Sequence, residues 1–277
     1  MGGLAVVIGV RGFGINCARR LGRARRLLIG DFDAAVLKAK ASELAADGYD
    51  VDSSLIDVSD PASVEAFADR ASGLGNLDCL LNTAGLTPRM ADAERILDVN
   101  MLGTIRVMDA FLPLVGNGSV GIFIASNAAY YTPVPTEVER AFAVAPASEL
   151  IAIAKRVEGW ETGMGAYWLA KRCNQLRVQA LAPAWGMRGG RILSVSPGII
   201  ATPGIAFERN AGSPVDDAIA AQPIRRLGLS EEIATCVEWL ASRDAAYVTG
   251  TDLLIDGGMV AALRWGNLAT GNPLDAG

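Results

Sequence analysis

Along this chain, solid runs of apolar residues switch repeatedly with amphipathic stripes of helical period. Leu4 to Ile8 is a continuous apolar run with two valines, the pattern of a strand buried on both faces. Gly9-Val10-Arg11-Gly12-Phe13-Gly14 follows, then a helical stretch from Ile15 to Leu21, then a second buried strand, Arg26 to Asp31, which closes on an acid. A helix over 34–46 leads to a strand over 51–57, and Pro61, favoured at the first helical position, opens a helix to about Ala71. Further strands are predicted over 77–83, 120–125, 190–196 and 252–255, with helices over 92–114, 164–182 and 231–241. The alternation predicts an α/β fold, a single doubly wound parallel sheet with helices on both faces, and ligand at the carboxyl ends of the strands. No repeat or low-complexity linker interrupts it, so one domain is expected over 1–277.

One segment breaks the rhythm. Forty residues separate Ser126 from Tyr167, too many for a plain crossover. Thr136-Glu-Val-Glu139 has the form of a capping box, and Ser148 is placed to cap a second helix through Val157. Val138, Phe142, Leu150, Ile151 and Ala154 give both helices apolar stripes, so the segment at about 130–163 is read as an ordered helical insertion before Tyr167. Its expected role is a lid beside the active site. Pro183 is expected to kink the preceding helix or to end it near Ala182.

Composition narrows the function. Apolar residues make up 51% of the 277 and charged residues 20%, enough for one well-filled core. A net charge of −5 argues against nucleic acid or an anionic membrane as the main partner. There is no histidine, which removes histidine-based triads and most zinc sites, so no metal is expected. Cys17, Cys79, Cys173 and Cys236 are far apart in apolar segments, which fits reduced thiols in a cytoplasmic protein. The first ten residues lack a basic region and run into the glycine turn, the pattern of a strand rather than of a signal peptide.

Two constellations carry chemistry. The order strand, glycine turn, helix, strand, acid is that of a dinucleotide-binding βαβ unit. Gly9, Gly12 and Gly14 let a pyrophosphate approach backbone amides at a helix N-terminus, and Asp31 is placed to accept from ribose hydroxyls. Tyr167 and Lys171 stand four apart on a predicted helix, hence on one face. An ammonium beside a phenol is expected to lower its pKa from about 10 and make it a usable acid or base. Asn100 sits among Leu97, Val99 and Leu102, where asparagine is a poor helix residue and asks for a reason.

With these pieces in order, the chain resembles the short-chain dehydrogenase/reductase family, whose fold is of the Rossmann type. The matching residues are the glycine turn, Asp31, Asp57-Val58, Asn82-Thr83-Ala84-Gly85, Asn100, Ser126, Tyr167-x-x-x-Lys171, Ser196-Pro197-Gly198 with Thr202, and Asp256-Gly257-Gly258. The resemblance implies interconversion of a secondary alcohol and a ketone by hydride transfer with a nicotinamide cofactor. Tyr167 would be the general acid or base, Lys171 would assist it and hold the nicotinamide ribose, and Ser126 would bind the substrate oxygen. Asn100 would hold a water that relays protons to solvent. Contacts with the cofactor would come from Gly9, Arg11, Gly12, Phe13, Gly14, Asp31, Asp57, Val58, Thr83, Ala84, Gly85, Tyr167, Lys171, Pro197, Gly198, Ile200 and Thr202.

The glycine turn either departs from the family's Thr-Gly-x-x-x-Gly-x-Gly, with Gly9 one position late, or is the Gly-x-Gly-x-x-Gly form with Arg11 in place of the middle glycine; in both readings Arg11 lies inside it. Asp31 favours NAD, because a carboxylate there repels a 2′-phosphate, while Arg11 keeps an NADP-linked biosynthetic ketoreductase as the alternative. A non-catalytic cofactor-sensing protein of the same fold is the rival from another class, and Ser126, Tyr167, Lys171 and Asn100 together argue against it. The insertion's apolar residues, with Ile205 and Phe207, point to an apolar small-molecule alcohol or ketone. A homodimer or homotetramer is expected, burying Met101, Ile105, Met108, Cys173 and Leu176 between subunits.

Overall fold

The computed structural model describes residues 3–265 apart from 132, 211 and 213, so the two ends of the expected 1–277 domain lie outside the described residues. Seven parallel strands form one sheet in the order β3-β2-β1-β4-β5-β6-β7. They are β1 (Leu4–Ile8), β2 (Arg26–Asp31), β3 (Val51–Leu55), β4 (Leu77–Asn82), β5 (Val120–Ile124), β6 (Arg191–Pro197) and β7 (Asp252–Ile255). The chain order reverses direction at β1, which pairs with both β2 and β4. That switch point opens a crevice at the carboxyl ends of the strands.

Alternate residues of β1 serve the two faces, as the strand pleat dictates. Ala5 and Val7 pack with Cys17 and Leu21 of α1 (Gly14–Leu21) and Leu240 of α11 (Ser230–Leu240). Leu4, Val6 and Ile8 pack with Phe67 of α3 (Pro61–Ser72), Phe111 of α5 (Gly103–Phe111) and Trp185 of α8 (Gly163–Met187). The remaining helix of the β2–β3 crossover, α2 (Ala34–Ala46), is capped by Asp33, which accepts from the Ala35 and Val36 amides.

The predicted helix over 92–114 is interrupted. α4 (Ala93–Ile96) passes into a π-turn, Leu97–Leu102, and then into α5. The extra residue of that turn places Asn100, fully buried, where an unbroken α-helix would not.

Pro183 neither ends nor visibly breaks α8, which runs on to Met187. Gln179 and Ala180 are exposed, so water can take the carbonyl that proline leaves unpaired, and the fully buried Trp185 anchors the last turn.

The insertion is helical, but its caps differ from those expected. α6 (Thr136–Val144) begins after Pro135 and α7 (Ala147–Ala154) after Pro146, with no side-chain cap on either. Glu139 is drawn instead to Arg172 of α8, whose Nε donates to it at 2.7 Å. Phe142, Leu150 and Ala154 are fully buried in a third cluster with Leu97, Met101, Ile105, Leu169 and Cys173. The residues expected between subunits are thus buried within the chain. Met101, Ile105, Cys173 and Leu176 lie under the inserted helices, and Met108 packs towards the sheet.

Beyond β6 come three short helices, α9 (Pro203–Asn210), α10 (Val215–Ala221) and, after β7, α12 (Met259–Trp265). Among the described residues, no helix is long and apolar enough to cross a membrane.

Candidate active site

Two cavities open along the carboxyl ends of β1, β4 and β5, and they meet at Thr83, Gly85 and Leu86. The first, of about 720 Å³, is lined by Gly9, Arg11, Asp31, Asp57, Val58, Thr83, Ala84 and Gly85 among the predicted residues. The second, of about 610 Å³, is lined by Phe13, Ser126, Tyr167, Lys171, Pro197, Gly198, Ile200 and Thr202. Gly12, Gly14 and Asn100 line neither cavity and stand instead against wall residues, Thr202, Gly9 and Gly85 respectively.

The glycine turn is shorter by one residue than the family's, yet its glycines are required by space. Gly9 has φ +86, and a Cβ there would stand 2.6 Å from Thr83 Oγ1. A Cβ on Gly14 would stand 2.0 Å from the Gly9 carbonyl oxygen, so α1 starts directly against the turn. Thr83 fastens the arrangement from β4 by donating to that same carbonyl at 2.7 Å. The result is a backbone cradle at a helix N-terminus, open to an anion.

Asp31 is buried at the end of β2, 4% exposed. Its carboxylate accepts from the Val10 amide at 3.2 Å and the Asp33 amide at 3.1 Å. Arg11 does not project freely over this cavity. Its Nε lies 3.6 Å from Asp31, its Nη2 donates to Asp33 at 2.6 Å, and the guanidinium stacks on Phe32 at 5.2 Å.

In the second cavity, β5 delivers Ser126 and α8 delivers Tyr167 and Lys171. Ser126 caps the turn that follows it, accepting from the Ala128 amide at 3.2 Å. Lys171 is buried and donates from Nζ to the Ile124 carbonyl at 2.9 Å, and burial lowers its pKa to about 8. Burial pushes the Tyr167 phenol up, with the nearby Glu208 charge adding to it and a hydrogen bond with Ser126 opposing it. The expectation of a phenol lowered by Lys171 is therefore corrected. Desolvation of the ring outweighs every opposing contact in the protein alone.

Asn100 does not present a free carbonyl. Its backbone oxygen accepts from the Thr104 hydroxyl at 2.9 Å and from Asn174 Nδ2 at 2.9 Å. Its side chain pairs with the backbone of Leu86, accepting from N–H at 2.7 Å and donating to the carbonyl at 2.9 Å. It therefore pins the loop that follows Gly85. The lid also differs from expectation, since no described residue of 130–163 lines the catalytic cavity. Sequence reasoning missed Thr87 and Leu86, which do line it, Glu208, which accepts from the Thr87 hydroxyl, and Asn174, which donates to the Asn100 carbonyl. They belong to no motif, and only the fold brings them together.

The residues fit a dinucleotide: the backbone cradle, the buried carboxylate at the end of β2 and the two joined cavities match its parts in order. The sequence profile described as short chain dehydrogenase matches residues 4–138, and that described as enoyl-(acyl carrier protein) reductase matches residues 139–260. The chain is 35% identical over 262 residues to the short-chain dehydrogenase/reductase bsc3 of Alternaria brassicicola, covering 93% of this chain and 96% of that one. It is 29% identical over 194 residues to a 3-alpha-hydroxysteroid dehydrogenase/carbonyl reductase of Comamonas testosteroni, covering 68% and 74%. A solved short-chain dehydrogenase/reductase from Serratia marcescens superposes with a TM-score of 0.76 at 26% identity, covering 94% of this chain and 98% of that one. The chain is a member of the short-chain dehydrogenase/reductase family of oxidoreductases.

Proposed function

We propose that this protein interconverts a secondary alcohol and a ketone with NAD(H). The observation that carries the reading is convergence. Ser126, Tyr167 and Lys171 line one cavity, and that cavity joins the one holding Asp31 at Thr83 and Gly85. A protein that only senses the cofactor has no need of a proton donor at that junction.

When bound, the nicotinamide supplies or takes up the hydride. In the reductive direction Tyr167, a phenol whose pKa burial raises further, gives its proton to the substrate oxygen. Ser126 donates a hydrogen bond to the same oxygen as charge develops there. Lys171 sits behind the phenol as a buried cation. It supports transfer to oxygen electrostatically and is placed to hold the nicotinamide ribose. Phe13, Leu86, Ile200 and Ile205 line the cavity with apolar surface, which supports an apolar carbonyl compound.

NAD is preferred over NADP in this reading because Arg11 is already held between Asp31 and Asp33. A 2′-phosphate at that edge would meet two carboxylates sharing one cation. The test is a panel of ketones and alcohols assayed by NAD(P)H fluorescence with the wild type and Tyr167→Phe. Turnover that survives in Tyr167→Phe, or its absence across the panel in the wild type, rejects the reading.

A further inference from the structure

α9 borders the second cavity through Ile205 and carries a carboxylate that the proposed reaction does not use. Of its eight residues, Pro203–Asn210, the one buried side chain is the charged Glu208, at 4% exposure. No apolar side chain of this helix is fully buried: Ile205 is half-buried and Gly204 stands against the side chains of Thr87 and Met90, so apolar packing holds only its first turn. Glu208 shares a helix face with Ile205, three residues back, and Ile205 lines the catalytic cavity.

Among the described residues, the groups that satisfy the carboxylate come from one loop, residues 85–90. Its Oε1 accepts from the Thr87 hydroxyl at 2.6 Å and from the Arg89 amide at 3.0 Å, and Oε2 lies 3.7 Å from Arg89 Nε. A buried carboxylate persists only where such charge-assisted bonds replace its lost water. Thr87 also lines the cavity, two residues beyond Gly85. A Cβ on Gly204 would stand 3.2 Å from Thr87 Cγ2, so the first turn of α9 rests on the same residue. The other side of the loop is pinned by Asn100 through Leu86. The Glu208 charge reaches Tyr167, where it adds to the larger effect of burial.

We propose that Glu208 is a positioning residue, a latch that fastens α9 across the substrate side of the cavity by gripping Thr87 and Arg89. Closure of α9 is thereby tied to the loop that continues from Thr83–Gly85. Only the kinetic arm of the test rests on the function proposed above.

Hydrogen–deuterium exchange of residues 203–210, in the full-length protein without ligand, reads the latch directly. Glu208→Ala and Thr87→Val should each speed exchange there by about tenfold or more, with 165–182 unchanged. Glu208→Gln, which keeps an acceptor for the Thr87 hydroxyl, should restore most of the protection. Unchanged exchange at 203–210 in Thr87→Val, or a rise spread equally over 165–182, would overturn the latch even if Glu208→Ala fails to fold. In the kinetic arm, with NADH and cyclohexanone, Glu208→Ala should raise KM about tenfold with kcat within about threefold, and Glu208→Gln should recover KM. A freed α9 with unaltered KM would overturn its placement across the substrate. A wild type inactive on the whole ketone panel would count against the function, and exchange alone would then decide the latch.

Discussion

The Nζ of Lys171 stands 5.6 Å from the centre of the Tyr167 ring and donates to the Ile124 carbonyl at 2.9 Å. A cation held there without a carboxylate partner is costly, because burial has removed its water. Its pKa falls to about 8 from 10.5, so between those values the unfolded chain binds more protons than the folded one. Stability should therefore rise with pH from about 8 towards 10 and be lowest, on this account, below pH 8. The shift amounts to on the order of 3 kcal/mol. Lys171→Met should remove the rise and be the more stable protein at pH 7, measured by urea unfolding of both proteins across pH 6–10. A wild type whose stability relative to Lys171→Met does not change with pH would contradict the assignment.

Tyr167→Phe removes the phenol proton and little else. Turnover should fall by about 10²- to 10⁴-fold, the usual worth of a positioned acid. NADH affinity, read by fluorescence titration, should stay within about threefold, since the change leaves the adenosine cavity untouched.

In the proposed function Asp31 is what favours NADH over NADPH. Asp31→Ser should shrink the NADH-over-NADPH ratio in kcat/KM by at least about tenfold, roughly 1.4 kcal/mol. Arg11 would then keep only Asp33 as a partner and become available to a phosphate. Tighter binding of NADPH than of NADH by the unaltered protein would reverse the reading.

Two glycines should respond in opposite directions. Gly14→Ala sets a methyl 2.0 Å from the Gly9 carbonyl and should abolish measurable NADH binding while destabilising the fold by about 1–3 kcal/mol or more. Gly186→Ala meets nothing within 4 Å inside α8 and should stabilise by about 0.5–1 kcal/mol. Thermal unfolding of both variants checks the pair.

Phe142→Ala should cost about 3–5 kcal/mol, since the ring is fully buried beneath the insertion. The kcat of the folded fraction should hardly change, because the residue does not line the cavity. A proportionate loss of kcat would return the insertion to the role of a lid.

The sheet was legible because buried parallel strands write themselves as solid apolar runs, and Leu4–Ile8, Arg26–Asp31 and Val120–Ile124 sit where those runs are. Tyr167, Lys171, Ser126 and the glycine turn were legible because their chemistry demands local spacing or fixed strand ends. Other features depend on contacts that sequence does not encode locally. The stripe of Phe142 and Leu150 shows that the inserted helices bury a face, not which surface they bury it on. Thr136 and Glu139 look like a cap, yet a proline takes the cap position and Arg172 takes the acid. Glu208 reads as one more acid in a polar loop until the fold sets Thr87 against it.

Phe142 and Leu150 cover the outer faces of α4, the π-turn and α8 from within the same chain. A surface sheltered by a neighbouring molecule is lost on dilution, whereas one sheltered by the chain's own helices carries no concentration term. The helix that bears Tyr167 and Lys171 is thus supported on its far side as soon as one copy has folded. That part of its support is the same at nanomolar protein as at millimolar.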